Sequence, residues 1–302
     1  MNKIEFGDCR ETMRKWAAQG VKAQTCVTSP PYYGLRDYGH EGQIGLEETP
    51  EEYIKAMVEV FQCVWDVLED DGTLWLNIGD SYAGNNSRAS NNGRAGFGNA
   101  REKVVNRTGD GLKTKDLIGI PWMLAFALRA DGWFLRQDII WHKPNPMPES
   151  VQDRCTKAHE YIFLLTKSQK YYYDHEAIKD PVKDDWGTRD RANGKYHNEG
   201  TGLQPHSGLE KSYEMANKRS VWSVPVKPYT GAHFAVFPSE LIEPCILAGA
   251  PVGGIVLDPF MGSGTTAQVS QDLGRQYIGC ELNPAYEKLQ NKRTAQTSLG
   301  FA

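Results

Sequence analysis

The chain has 302 residues, 40% of them hydrophobic and 24% charged, with a formal net charge of −4. It can bury a sizeable core, as one large α/β domain or two small ones, and reads as an ordinary globular protein. No apolar run approaches the roughly 20 residues that span a bilayer, and MNKIEFGDCRETM has no signal-peptide core, so a cytoplasmic location without a membrane partner is expected.

In chain order, short β-rich runs alternate with helical patterns, the mark of a mostly parallel sheet covered on both faces. Strands are predicted at 4–7 and 24–28. The second runs into TSPPYYGLRDYG, where Pro30 and Pro31 stand between Ser29 and the adjacent Tyr32 and Tyr33. Each proline fixes its own φ, so the strand ends in a stiff corner. A helix follows, in which Ile54, Met57, Val58, Phe61, Val64, Trp65 and Leu68 recur at spacings of three and four. After a strand at 73–78, residues 85–115 are rich in Gly and Asn and carry seven basic residues against two acids. Such a segment buries too little apolar surface to offset its ordering entropy, and a mobile loop is expected. Pro121 suits the first turn of a helix that Gly132 closes, and strands follow at 133–141 and 161–166. Residues 167–229 mix both charges with aromatics and read as a small inserted subdomain. The implied division is 1–166, 167–229 and 230–302, with the first and last stretches forming one domain.

The last predicted strands, 255–258 and 276–281, flank the loop DPFMGSGTT. A buried strand ends at Asp258, the chain turns through Gly262 and Gly264, and a helix starts near Thr265. Glycines let the backbone approach a ligand, and an acid at the tip of the next strand, Glu281, can accept both hydroxyls of a ribose. A nucleoside-type cofactor is implied, although the same glycines suit a dinucleotide enzyme or a plain tight turn. The loop has no lysine, which disfavours a phosphate-binding kinase or ATPase. Only about 35 residues follow it, too few for a dehydrogenase's remaining machinery. If 255–258 is the first strand of the cofactor half and 276–281 the second, the third is the N-terminal strand ending at Asp8, and the fourth ends at the Pro-Pro corner. This circularly permuted order brings Asp8, Ser29, Asp258 and Glu281 to one carboxyl edge. The six cysteines are scattered without a Cys-x-x-Cys pair, so neither metal nor disulfides are expected.

These blocks together, GDCRETM, TSPPYYGLRDYG, GTLWLNIGDSYAG, IIWHKPNPMPES, HEYIFLLTKS, GAHFAVFPSEL, VLDPFMGSGTT and IGCELNPAY, resemble the beta-class amino DNA methyltransferases in their permuted order. The resemblance implies a Rossmann-like α/β methyltransferase fold, with an antiparallel end strand and a target-recognition insertion. It further implies S-adenosylmethionine as cofactor, double-stranded DNA as partner and methylation of a base amine after base flipping; a homodimer is left open. An exocyclic amine is a poor nucleophile, because its lone pair is delocalised into the ring. By resemblance, Ser29 and the Pro30 carbonyl accept from that amine, Pro31 helps fix the corner, and Tyr32 stacks on the base. Glu281 is assigned to the ribose, Asp8 to the adenine edge, and Asp258, Phe260, Gly262, Ser263, Gly264 and Thr265 to the methionine and ribose region. His233, Phe237 and Pro238 match the segment against the methionine end, while a buried structural role for His233 is equally open. Arg88, Arg94, Arg101, Lys103 and Arg107 are candidates for phosphate contacts, and the 167–229 insertion for reading sequence.

The choice of base is divided. Adenine-specific members often carry Asp where this chain has Ser29, and the Ser-Pro-Pro-Tyr corner is commoner among cytosine-N4 enzymes. The blocks YGLRDYG and WHKPNPMPES are similar to those of solitary adenine-specific enzymes, and on that similarity the expectation leans to N6 of adenine. Other readings are an RNA or protein-glutamine methyltransferase, disfavoured by the motif order, and a catalytically silent DNA-binding protein.

Overall fold

A computed structural model describes residues 1–35, 37, 39–40, 42–84, 111–181, 215–226 and 237–295. Ten strands and six α-helices are described: β1 (Lys3–Phe6), α1 (Cys9–Ala18), β2 (Ala23–Thr28), α2 (Pro50–Val67), β3 (Leu68–Ile78), α3 (Ile120–Ala130), β4 (Phe134–His142), β5 (His159–Thr166), β6 (Asp180–Pro181), β7 (Met215–Ala216), β8 (Val221–Ser223), α4 (Ser239–Gly249), β9 (Ile255–Asp258), α5 (Thr265–Asp272), β10 (Gln276–Glu281) and α6 (Glu287–Ala295).

Eight strands form one sheet in the order β1-β10-β9-β2-β3-β5-β4-β8. The order has the permutation expected from the motifs: β9 and β10 are the first two strands of the cofactor half, β1 is the third, and β2 lies on the other side of β9. Pairing is parallel except along β5, which opposes both β3 and β4. The opposed strand lies two in from the edge, because β4 and the three-residue β8 extend the sheet beyond it. β8 comes from the polar 167–229 region, which therefore contributes directly to the main sheet. Elsewhere in that region, β6 and β7 form a small antiparallel pair.

Helices cover both faces. α2 starts in a capping box, with Thr49 Oγ1 accepting from Glu52 N and the Glu52 carboxylate accepting from Thr49 N, while Pro50 occupies the first turn. Its apolar face buries Tyr53, Met57, Val60, Phe61 and Val64 in a core shared with Met13 and Trp16 of α1 and Leu124 of α3. On the other face, Leu241, Ile242 and Ile246 of α4 pack with Trp75, Trp141 and Trp222. α4 approaches β2 and β3 closely at Gly249, where a Cβ would lie 2.6 Å from Thr25 Oγ1. α1, α4 and α6 have no counterpart among the predicted helices.

Candidate active site

Strands β1, β2, β9 and β10 run parallel, so their carboxyl ends meet along one edge of the sheet. The turns leaving those ends line a single cavity of about 340 Å³, within the range of small-molecule sites. Asp8, Ser29, Pro30, Pro31, Tyr32, Phe237, Asp258, Phe260, Gly262, Ser263, Thr265 and Glu281 all line it. Gly264 stands just behind, at φ 88°, where α5 begins; a Cβ there would meet Gln290 Cα at 3.3 Å. His233, Arg88, Arg94, Arg101, Lys103 and Arg107 lie outside the described residues.

The glycine-loop side is held by carboxylates. Asp258, fully buried, accepts from Thr28 Oγ1 and Thr266 Oγ1, each at 2.6 Å, and from Phe260 N at 3.0 Å. These bonds tie the end of β2 to the start of α5. Burial nonetheless pushes the Asp258 carboxyl up to about 6, against 3.8 in water. Glu281 accepts from Gly262 N and Asn283 N, each at 2.8 Å, and burial raises its pKa as well. Ser263 Oγ is buried with no protein partner, the kind of unmet polar group that a bound ligand satisfies. Asp8 faces the same cavity, but it also caps α1, accepting from Arg10 N at 2.7 Å and pairing with the guanidinium at 2.6 Å. That hydrogen-bonded pairing lowers its pKa.

The corner side is held by β3, β5 and α2. Tyr53 of α2 donates to the Pro31 carbonyl at 2.9 Å, fixing the peptide after the two prolines. Ser29 Oγ donates to Tyr32 Oη at 3.4 Å, and Tyr32 Oη donates to Glu160 Oε2 at 2.7 Å. The Tyr32 ring lies against Gly79, where a Cβ would come within 2.6 Å of Cε2. Tyr33 is buried beside Tyr53, with ring centroids 5.5 Å apart, and so serves packing. Asn77, Trp141, Lys143 and Glu160 also line the cavity, and the sequence pattern assigns a role to none of them. The last three sit in IIWHKPNPMPES and HEYIFLLTKS, blocks prominent in the motif pattern without a chemical assignment of their own.

Among the described residues no helix is long and apolar enough to cross a membrane, and no cluster of three or more His, Cys, Asp or Glu could hold a metal. The model of the N6/N4 methylase family, described as DNA methylase, matches residues 23–292. The chain is 48% identical over 294 residues to Type II methyltransferase M.SmaI of Serratia marcescens, covering 96% of this chain and 90% of that protein. Among solved structures, PvuII DNA methyltransferase (cytosine-N4-specific) aligns with TM-score 0.64 at 16% identity, covering 99% of this chain and 88% of that one. The M1.HpyAVI–SAM complex aligns with TM-score 0.57 at 17% identity, covering 97% and 100%. At these identities the two structures speak for the fold alone.

Proposed function

This chain belongs to the N6/N4 DNA methylase family, and on that premise we propose a site-specific Type II DNA methyltransferase that moves a methyl group from S-adenosylmethionine to N4 of cytosine in a flipped-out base. Its place, by likeness to its relatives, is in restriction-modification. The cavity suits the cofactor: Glu281 offers a carboxylate to the ribose hydroxyls, Phe260 an apolar surface, and Ser263 a hydroxyl that has no protein partner. S-adenosylmethionine supplies a sulfonium methyl that is already activated, so the protein's task is to aim a weak nucleophile and exclude water.

The corner is suited to that task. Ser29 directs its own proton to Tyr32 Oη, which leaves its lone pairs for an amine hydrogen. The two prolines hold the backbone in place, and Tyr32 presents the aromatic wall. Ser29 carries the choice of base. It is the side chain proposed to meet the amine, and a neutral hydroxyl heading this corner is the form commoner among cytosine-N4 enzymes. The blocks that lean toward adenine lie outside the amine acceptors, so the hydroxyl outweighs them.

The test is to incubate the protein with unmodified bacterial DNA and S-adenosylmethionine carrying a labelled methyl, then digest to nucleosides and identify the labelled base by mass. Label on N4-methylcytosine is expected. Label on N6-methyladenine would reverse the base and keep the site; no label on DNA would remove the reading altogether.

A further inference from the structure

Tyr32 differs from a plain stacking ring in that its hydroxyl is engaged. Glu160 Oε2 accepts from it at 2.7 Å, and Asn77 Nδ2 approaches the same oxygen at 3.4 Å. The other oxygen, Oε1, is paired with Lys143, whose ammonium lies 4.3 Å from the centre of the Trp141 ring. The Lys143 and Glu160 side chains are only 18% and 14% exposed. A charge pair taken this far from water is held by good geometry or by a role beyond stability. Burial, with the Glu160 charge beside it, raises the Tyr32 pKa well above that of an ordinary tyrosine, so the phenol stays protonated and remains a donor.

We propose that Glu160, anchored by Lys143, is a positioning residue for methyl transfer: it fixes where the Tyr32 ring stands through its hydroxyl and, with Gly79 confining the ring edge, holds the surface on which the target base rests. This rests on the reading of the corner as the base-amine site. A tyrosine side chain has two free torsions: a bond at its far end fixes χ1, and so where the ring points, while Gly79, against which the Cδ2–Cε2 edge lies, limits rotation of the ring about its own axis. A stacking wall that can swing tilts the amine away from the methyl donor, and misplacement of about 1 Å can lower a rate by a hundredfold. In this role the ion pair contributes rigidity.

The experiment compares the ion pair's effect in two backgrounds. K143M together with E160L removes both charges, so that neither is stranded, and Y32F removes only the hydroxyl. With Tyr32 present, K143M/E160L is expected to lower kcat about tenfold, with S-adenosylmethionine affinity by calorimetry changed less than twofold. In the Y32F background, itself down about tenfold, the same pair of changes is expected to cost nothing further. An equal loss in both backgrounds would overturn the proposal, because Glu160 would then act by a route that bypasses Tyr32. If K143M/E160L does not fold, K143M together with E160Q carries the test in the same two backgrounds. It strands no charge and leaves the phenol an acceptor without its anchor, so a loss of about tenfold with Tyr32 present and none in the Y32F background is expected, and an equal loss in both, or none in either, overturns the inference. Failure of the underlying reading is distinguishable, since the wild-type protein would then place no label on DNA.

Discussion

Asp258 holds a carboxyl where water does not reach, and its folded pKa of about 6 has a stated consequence for stability. Unfolded, the group ionises near 3.8. Between these values the folded chain keeps a proton that the unfolded chain has lost. The group's contribution to folding is therefore complete below about 3.8 and is lost as pH rises through about 6. We expect wild type to gain about 1 kcal/mol from this group between pH 7 and pH 5 relative to Asp258→Asn, which stays neutral. Denaturant unfolding of both proteins at the two pH values measures the difference, and identical pH dependence would show that burial is not what Asp258 feels. Ser29, Tyr32, Asp258 and Glu281 are legible in the sequence because each follows an apolar strand run at a turn, where side chains face a ligand edge. Glu160 is not: it lies 128 positions from Tyr32, and only the pairing of β5 against β3 brings the two together. Asp8 reads from sequence as a ligand alone, whereas its carboxylate also caps α1 and binds Arg10.

At the scale of elements, the end of β3 controls the corner on the neighbouring strand. Gly79 follows its last residue and leaves room for the Tyr32 ring; a Cβ would come within 2.6 Å of Cε2 and 3.1 Å of Cδ2. The ring cannot simply swing aside, because Glu160 holds its far end. Gly79→Ala is expected to lower single-turnover methyl transfer roughly ten- to a hundredfold, with cofactor affinity by calorimetry preserved. Unchanged turnover would mean the ring position does not matter. Long elements with a clear period are readable, α2 above all, and so are the apolar runs of β9 and β10. α1 escapes because CRETMRKWAA is short and half polar, and its large apolar anchors, Met13 and Trp16, are only two. α4 contains Pro244, a residue that argues against a helix interior. β8 has three residues and is a strand only because β4 is beside it.

For the molecule as a whole, charge is unevenly placed. The +5 carried by residues 85–115, within a net charge of −4, leaves −9 on the rest of the chain. A polyanion meets net repulsion everywhere except at local basic surface. Replacing Arg88, Arg94 and Arg101 by Ala is expected to weaken DNA binding and to flatten the plot of log affinity against log salt by about one for each phosphate no longer neutralised. Fluorescence anisotropy across a salt series reads both, and an unchanged slope would remove this segment from the DNA interface. The permuted strand order is readable because the motifs come in reversed sequence along the chain. The extension of the sheet by β4 and β8 is not, because it depends on pairing across a polar stretch that lacks a strand period.

The permutation also sets a timetable. Thr28 at the end of β2 and Asp258 at the end of β9 are bonded neighbours separated by 230 residues of chain. At a synthesis rate of about 5–20 residues per second, the corner waits roughly ten seconds or longer, beside β3 alone, before its other flank exists. β1 waits longer still, since among the described residues its only strand neighbour is β10. The side of the cavity suited to the methyl donor is thus the last part to be made, and a nascent chain still on the ribosome presents the corner without the pocket that would arm it. The cavity is complete only once the strand ending in Glu281 and the turn after it, which supplies Asn283 and Tyr286, have emerged.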